Sequence, residues 1–283
     1  MKKKSIFLRN SIILGLLFTV LSPSNGNAQK LNVKSIGAIE KGIAGFTFSD
    51  SDAANLSKEA VAEMDKANPV ADPSNPYAIR LNRVFGKHIQ GEGYTLNYKV
   101  YLVKDVNAFA CADGSVRVFA GLMDIMDDNE LLAVIGHEIG HVVNHDSRNA
   151  IKAAYKKEAL IDVAASQSNT IETLSDSQLG KIGNAMLDSK HSRKQESQAD
   201  LYSYEFMKKN GYDVNAVESA FTILANMSAG TNSSFLDKIM SSHPDAAERA
   251  KNAKKRAKKD GLYKAYTKQP VVSGKSFKER TQK

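Results

Sequence analysis

The chain has 283 residues, a formal net charge of +8 and one cysteine. A single cysteine excludes an intramolecular disulfide, and the sequence shows no internal repeat and no glycine-rich phosphate-binding loop. Residues 1–28 hold four basic and no acidic residues, residues 29–248 hold 22 basic and 29 acidic, and residues 249–283 hold 13 basic and two acidic. The positive charge therefore belongs to the two ends of the chain, and the middle is acidic.

The first 28 residues have the pattern of a secretory signal peptide. Basic residues precede an apolar run, Ile12–Leu21, which is shorter than the ~20 residues that a spanning helix needs. Small residues follow at Gly26 and Ala28, so we predict cleavage after Ala28 and an exported chain, periplasmic or secreted, without a transmembrane helix. An uncleaved anchor is the alternative. Cys111 is far from this junction, which argues against a lipid anchor, and we interpret it as a small buried hydrophobe rather than a catalytic thiol.

The exported chain is long enough for one sizeable core, and we predict one domain over residues 29–265 with a catalytic core at residues 97–249. We expect an α+β, predominantly helical fold. Helical spacing predicts helices at Ser51–Ala67, Pro76–His88, Ser147–Ser166, Asp213–Met227 and Pro244–Lys259. Strands are expected at Tyr98–Val103, Asn107–Ala112 and Val116–Phe119, the last two joined by an Asp113-Gly114 hairpin turn. Residues 266–283 are predicted to be a basic tail without fixed structure.

The segment His137-Glu-Ile-Gly-His141 carries the strongest functional signal. Histidines four residues apart project from one face of a helix, so both imidazoles can reach one metal ion, and Glu138 lies beside that face, where a general base is required. N-cap candidates at Asp127–Asn129 and apolar residues at helical spacing predict that helix. The alternative is a buried helix whose histidines only satisfy each other. We interpret His145, one turn on, as solvated or as support for a ligand.

A catalytic zinc ion keeps three protein ligands and one open position, so the two histidines need a further partner. Glu196 is the best candidate, because it begins a second helical segment, Arg193–Gly211. Asp200, one turn later, can accept the outer N–H of a ligand histidine and fix its tautomer. A solvated helix face is the alternative for such a pair, but the upstream motif favours the metal. We predict one Zn²⁺ per chain, held by His137, His141 and Glu196.

In this order the motifs resemble those of the HtpX-like and prenyl-protease-related zinc metalloendopeptidases, over residues 97–249. In that family the Glu of the Glu-x-x-x-Asp motif is the third ligand, which the resemblance places at Glu196. The edge strand that faces the family's substrates looks like Asn107, Ala108, Phe109 and Ala110, and its downstream His-Pro element looks like Ser242-His-Pro244 with Glu248-Arg249. The resemblance implies a zincin-like core with a small antiparallel sheet whose edge strand faces the active-site helix.

The sequence thus predicts a zinc endopeptidase in which Glu138 takes the proton of the attacking water. The resemblance implies polypeptide substrates, namely misfolded or unassembled envelope proteins, and a role in envelope protein quality control. One alternative is a chaperone-like binder of unfolded proteins with little turnover, and another is a zinc hydrolase acting on other compounds. No nucleic-acid partner is expected. The basic C-terminal segment can contact a membrane surface weakly, or it is only a solvated helix and a frayed end.

His243 permits opposite roles. It precedes Pro244, which suits the first position of a helix, so its imidazole is expected in a loop within reach of the metal. As a donor to the oxyanion it would be catalytic. As a fourth zinc ligand it would keep the enzyme latent. A histidine that only caps or packs is the third alternative.

Overall fold

The computed structural model describes residues 48–91, 93–166, 174–230 and 237–271. The predicted signal peptide and its cleavage site lie outside these ranges. Among the helices described, none combines the length and apolar character needed to cross a membrane.

Within these ranges the chain forms mainly helices around a small sheet. The helices are α1 (Asp50–Ala67), α2 (Pro76–Phe85), α3 (Ala120–Ile125), α4 (Asp128–Val143), α5 (Asp146–Ser166), α6 (Asp176–Leu187), α7 (Arg193–Lys209), α8 (Asn215–Gly230), α9 (Asp237–Ser242) and α10 (Ala246–Lys259). The strands are β1 (Gln90–Gly91), β2 (Tyr94–Thr95), β3 (Asn97–Tyr101), β4 (Ala108–Ala110) and β5 (Ser115–Phe119), and a 3₁₀ turn spans Gly86–His88. The predicted α+β, predominantly helical class is confirmed.

Three described helices, α3, α6 and α9, have no counterpart in the sequence prediction. The helix α6 shows why, because it contains two glycines, which lower helix propensity. Gly183 packs closely against α1, since a Cβ there would lie 2.7 Å from the sulfur of Met64, whose side chain would have to shift. A capping box of Ser175 and Gln178 starts the helix and offsets part of the low helix propensity of the two glycines.

The sheet has the order β3-β5-β4. The predicted hairpin is confirmed, because β4 and β5 are antiparallel and Gly114 adopts the left-handed φ of 85° that the turn requires. The pairing of β3 with β5 is parallel. The sheet is therefore mixed, which corrects the expectation of an antiparallel sheet: β5 lies between β3 and β4, so that two strands running in the same direction become neighbours.

Two hydrophobic clusters cover the two faces of the sheet. One contains residues of α1, α5 and α6 together with Tyr101, Phe109 and Phe119 of the sheet. Cys111 is buried in this cluster, as expected for a small hydrophobe. The other cluster joins α2, α4, α7, α8 and α10 to the opposite face. The helix α4 therefore lies in the interior, with β4 on one side and α7 on the other.

Two glycines allow α4 and α7 to pack unusually closely. A Cβ at Gly140 would lie 2.9 Å from the Cα and 3.0 Å from the carbonyl oxygen of Ala199. At Gly136, one turn earlier, a Cβ would lie 3.2 Å from the ring of Phe206. Because these positions share one face of α4, the backbone of α7 approaches directly and brings its first turns alongside the two histidines of α4.

The chain after α10 runs extended against the start of α4. The hydroxyl of Tyr266 donates to Asp127 Oδ2 over 2.7 Å, and the backbone N–H of Gln269 donates to the same oxygen over 2.8 Å. Asp127 also caps α4. The predicted structureless tail is therefore wrong for residues 266–271. The prediction rested on the positive charge of the segment and did not consider that Tyr266 can hydrogen-bond to Asp127, the N-cap of α4. Residues 272–283 lie outside the described ranges.

Candidate metal centre

The helix α4 presents the two histidines and the glutamate of the motif inside the protein. A capping box of Asp127 and Glu130 starts the helix, as predicted. His137, Glu138 and His141 are all buried. His145 lies beyond the helix end with a left-handed φ of 63° and an exposed side chain, which agrees with the solvated interpretation.

Four side chains converge on one point beside α4: His137, His141, Glu196 and His243. His137 Nε2 lies 3.1 Å from His141 Nε2 and 3.2 Å from His243 Nδ1. Glu196 Oε1 lies 3.3 Å from His141 Nε2 and 3.1 Å from His243 Nδ1. Zinc–ligand bonds of about 2.0–2.1 Å place tetrahedral ligands about 3.3 Å apart, so these donors fit a zinc ion. Three imidazoles among four donors do not suit magnesium or calcium, which prefer oxygen.

Each histidine of α4 has a carboxylate behind it. His137 Nδ1 donates to Asp200 Oδ1 over 2.9 Å, as predicted for Asp200. His141 Nδ1 donates to Asp146 Oδ2 over the same distance. Both rings thereby turn Nε2 towards the cluster. Asp146 was missed because it lies in the next helix, α5, and not on α4. The left-handed turn at His145 brings it back to His141, and helical spacing does not predict such a contact.

The two histidines differ in their electrostatic surroundings. Burial and the guanidinium of Arg249 lower the pKa of His137 to about 3. Burial acts on His141 in the same direction, but its hydrogen bonds with Asp146 and Glu196 outweigh it and raise the pKa to about 9. Burial also opposes ionisation of Glu196, yet His141 and His243 hold its pKa well below the usual range. Glu196 is thus a carboxylate, the form that binds a metal.

Glu138 is a buried carboxylate without a hydrogen bond to Oε1 from any described residue. The imidazole of His243 is close by, with Nε2 3.7 Å from that oxygen. Burial raises the pKa of Glu138. A buried carboxylate oxygen without a hydrogen bond is costly, so Glu138 is an unusual group to find beside the cluster.

A narrow cleft, with room for about 30 Å³, opens onto the cluster. Its walls contain all four residues of the predicted edge strand, Asn107, Ala108, Phe109 and Ala110, together with Glu138, His141 and His243. The far wall comes from the end of α6 and the segment that follows it. The structure thus brings the predicted strand and the predicted site residues to one cleft.

Main-chain groups of β4 face this cleft. The N–H of Phe119 in β5 donates to the carbonyl of Asn107, so in an antiparallel pair the alternate residues, Ala108 and Ala110, turn their N–H and C=O groups away from β5. The hydroxyl of Ser147 donates to the Ala110 carbonyl over 2.9 Å. The Ala108 carbonyl and the Ala110 N–H remain directed towards the open edge.

His243 lies between two helices. Its backbone N–H donates to the carbonyl of Ile239 in α9, and α10 begins only at Ala246, after Asp245 with a left-handed φ of 63°. The expectation that Pro244 opens the helix is therefore wrong by two residues. The imidazole nevertheless reaches the cluster, as expected.

Sequence reasoning missed two further residues near the cluster. The ring of His191 stacks on that of His141 with centroids 3.8 Å apart, and it comes from the segment between α6 and α7, which carries no motif. Arg249 belongs to the His-Pro element noted in the sequence, but that resemblance assigned it no role. It is buried beside Glu196 and Asp200.

Comparisons with known proteins agree with this geometry. The family model described as "Peptidase family M48" matches residues 79–257. The metalloprotease LoiP of Escherichia coli (strain K12) is 39% identical over 237 residues, covering 82% of this chain and 92% of that protein. The metalloprotease YcaL of the same strain is 37% identical over 255 residues, covering 88% and 98%. A protease HtpX from Xanthomonas euvesicatoria pv. vesicatoria is 31% identical over 144 residues, about half of each chain. These matches confirm the resemblance found in the motifs.

Proposed function

The chain belongs to peptidase family M48 and is a metallopeptidase, and from that premise we propose a zinc-dependent endopeptidase with Glu138 as its general base. The proposed ligands are His137, His141 and Glu196. One observation carries the proposal: Glu138, a buried carboxylate whose Oε1 accepts no hydrogen bond from any described residue, stands beside a cluster of four donors with the spacing of zinc ligands.

The residues of the chain divide the chemistry between them. When bound, zinc supplies Lewis acidity, which polarises the scissile carbonyl and acidifies the attacking water. Glu138 accepts the proton of that water and delivers it to the leaving amine, and its raised pKa brings it closer to the operating pH of a general base. Asp200 and Asp146 contact Nδ1 of His137 and His141 and so orient both rings with Nε2 towards the cluster.

The substrate is proposed to be an extended polypeptide that adds to the open edge of β4. The Ala108 carbonyl and Ala110 N–H, which point away from β5, support this mode, because one substrate residue can pair with both while its neighbour lies near Glu138. Main-chain recognition would accept many sequences. That suits the misfolded or unassembled envelope proteins that the resemblance implies.

An exported enzyme of envelope protein quality control is the cellular setting that we propose. The signal-peptide pattern of residues 1–28 supports it, and mass spectrometry of the native protein should find an N-terminus at Gln29. An intact Met1 in a membrane fraction would indicate an anchor instead. Exposed lysines of α10, among them Lys251, Lys255 and Lys259, support weak contact with anionic lipid, which vesicle co-sedimentation would test.

Hydrolysis of casein by wild type, by chelator-treated wild type and by Glu138→Gln tests the enzymatic proposal. We expect activity in untreated wild type alone, with Glu138→Gln reduced by about 10²–10⁴-fold while retaining zinc and fold. Activity of Glu138→Gln within a few-fold of wild type would refute its role as the base. Binding of unfolded protein by wild type without any cleavage would favour the chaperone-like alternative.

A further inference from the structure

Arg249 is a buried arginine held on several sides. Its Nε and Nη2 donate to Asp200, the shortest contact being 2.7 Å from Nη2 to Oδ1. The guanidinium lies 4.0 Å from the ring centroid of Phe221, and Nη2 is 3.0 Å from Nδ1 and 3.1 Å from Nε2 of His137. Asp200 and Phe221 thus fix the plane and position of the guanidinium, as expected of an arginine fork.

The remaining nitrogen, Arg249 Nη1, lies 2.7 Å from Glu196 Oε2. That oxygen accepts no hydrogen bond of regular geometry from any described residue, so the contact is ionic. The other oxygen, Oε1, faces His141 Nε2 and His243 Nδ1 within the cluster. Oε2 also lies 3.5 Å from His137 Nε2, so both oxygens of Glu196 border the cluster, and the guanidinium is the nearer contact of Oε2.

We propose that Arg249 is a positioning residue that restricts Glu196 to binding the metal through one oxygen. This inference rests on the proposed ligand set. A carboxylate can bind a cation through one oxygen or two, and Oε2 of Glu196 lies closer to the guanidinium than to the ligand nitrogen of His137, so the guanidinium competes with the metal for that oxygen. Binding through one oxygen leaves a coordination position available for the reaction, which a catalytic zinc site needs.

The fork geometry matters as well as the charge. A lysine ammonium is a point charge on a flexible stem, and it cannot hold Asp200 and Glu196 at fixed positions together. We therefore expect Arg249→Lys to retain the charge and to lose most of the control over Glu196.

Cobalt substitution provides a readout that does not depend on activity, because visible absorption of Co²⁺ is strong in four-coordinate sites and weak in sites of higher coordination. With Arg249→Gln we expect cobalt to bind with a visible band weaker on the order of two-fold or more, and with Arg249→Lys a similar loss. For the zinc proteins we expect kcat to fall about 10–100-fold with little change in KM. The matched control is Arg256→Gln, two turns later on α10, whose guanidinium lies over Tyr204, and it should keep the wild-type spectrum.

An unchanged spectrum in Arg249→Gln would overturn the proposal, and so would complete rescue by Arg249→Lys, since charge alone would then suffice. X-ray absorption of wild-type zinc protein tests the same point even if the variants do not fold. One oxygen from Glu196 in a four-coordinate site is expected, and a two-oxygen glutamate would refute the role of Arg249. A wild type that binds no cobalt would overturn the ligand set as well, whereas normal binding with an unaltered Arg249→Gln spectrum overturns only this inference.

Discussion

The back wall of the metal centre consists of Glu196, Asp200 and Arg249, which are buried charges in mutual contact. The front wall consists of Ala108, Ala110 and Ser147, which present main-chain groups and one hydroxyl to the cleft. Buried charges depend on their partners, because removing one leaves the other uncompensated. Main-chain groups are indifferent to side-chain identity. The back wall is therefore suited to fixing a metal, and the front wall to receiving varied polypeptides.

Alanine substitutions of the ligands should separate the two walls most clearly. For His137→Ala, His141→Ala and Glu196→Ala we expect zinc content to fall well below one per chain, with loss of hydrolysis, since each change removes one of the three proposed ligands. Metal analysis of the purified proteins measures this. The control is Glu205→Ala, an exposed position on the same helix as Glu196. Full zinc content in Glu196→Ala would remove that residue from the ligand set.

His243 contacts Glu196 of the back wall and also Glu138, and it lines the same cleft as the front wall. Its Nδ1 stands at ligand spacing from His137, which favours the role of a fourth ligand. We therefore expect His243→Ala to raise basal kcat several-fold on one peptide substrate. A fall of about 10²–10³-fold with KM unchanged would identify an oxyanion donor instead. Unchanged kcat and KM would mean that His243 has only a packing role.

Gly140→Ala tests whether the back wall depends on the close approach of α7. The new methyl group would meet the backbone of Ala199, so α7 must shift, and we expect a loss of about 1–3 kcal/mol in the free energy of unfolding and weaker zinc binding. Denaturant unfolding and chelator competition measure the two effects. The matched control is Gly180→Ala in α6, where a Cβ would meet no atom of a described residue within 4 Å, and which should stabilise by up to about 1 kcal/mol. Equal effects at both glycines would show that close approach is unimportant.

Asp128 provides the smallest effect, at the end of α4 remote from either wall. Burial raises its pKa, but Arg83 and Arg80 outweigh burial, and the folded pKa is below the ordinary value. A depressed folded pKa contributes stability above the unfolded pKa, and that contribution is lost as pH falls through the folded pKa. Asp128→Asn should therefore lower stability by about 0.5–1 kcal/mol at pH 7, and the difference from wild type should vanish in acid. A difference that persists at the lowest pH would contradict this assignment.

Sequence reasoning recovered what depends on spacing along one element. Helical periodicity placed His137 and His141 on one face of α4, and Asp200 one turn after Glu196, and each lies where it was expected. The residues it missed depend on contacts between elements. Asp146 reaches His141 only through a reversed turn, and Arg249 reaches Glu196 from a third helix. The hairpin signal predicted that β4 pairs with β5, but it does not determine on which side β3 adds to that pair. The structure places β3 beside β5, which makes the sheet mixed.

The left-handed backbones of His145 and Asp245 affect which substitutions would raise the stability of this protein and which would lower its activity. Each costs about 1–2 kcal/mol relative to an ordinary conformation, and each lies within two residues of a side chain of the centre, Asp146 or His243. Glycine at either position would relieve that cost while loosening the backbone that aims the neighbouring group. Selection for thermal tolerance should therefore favour glycine at these two positions, and selection for turnover should remove it.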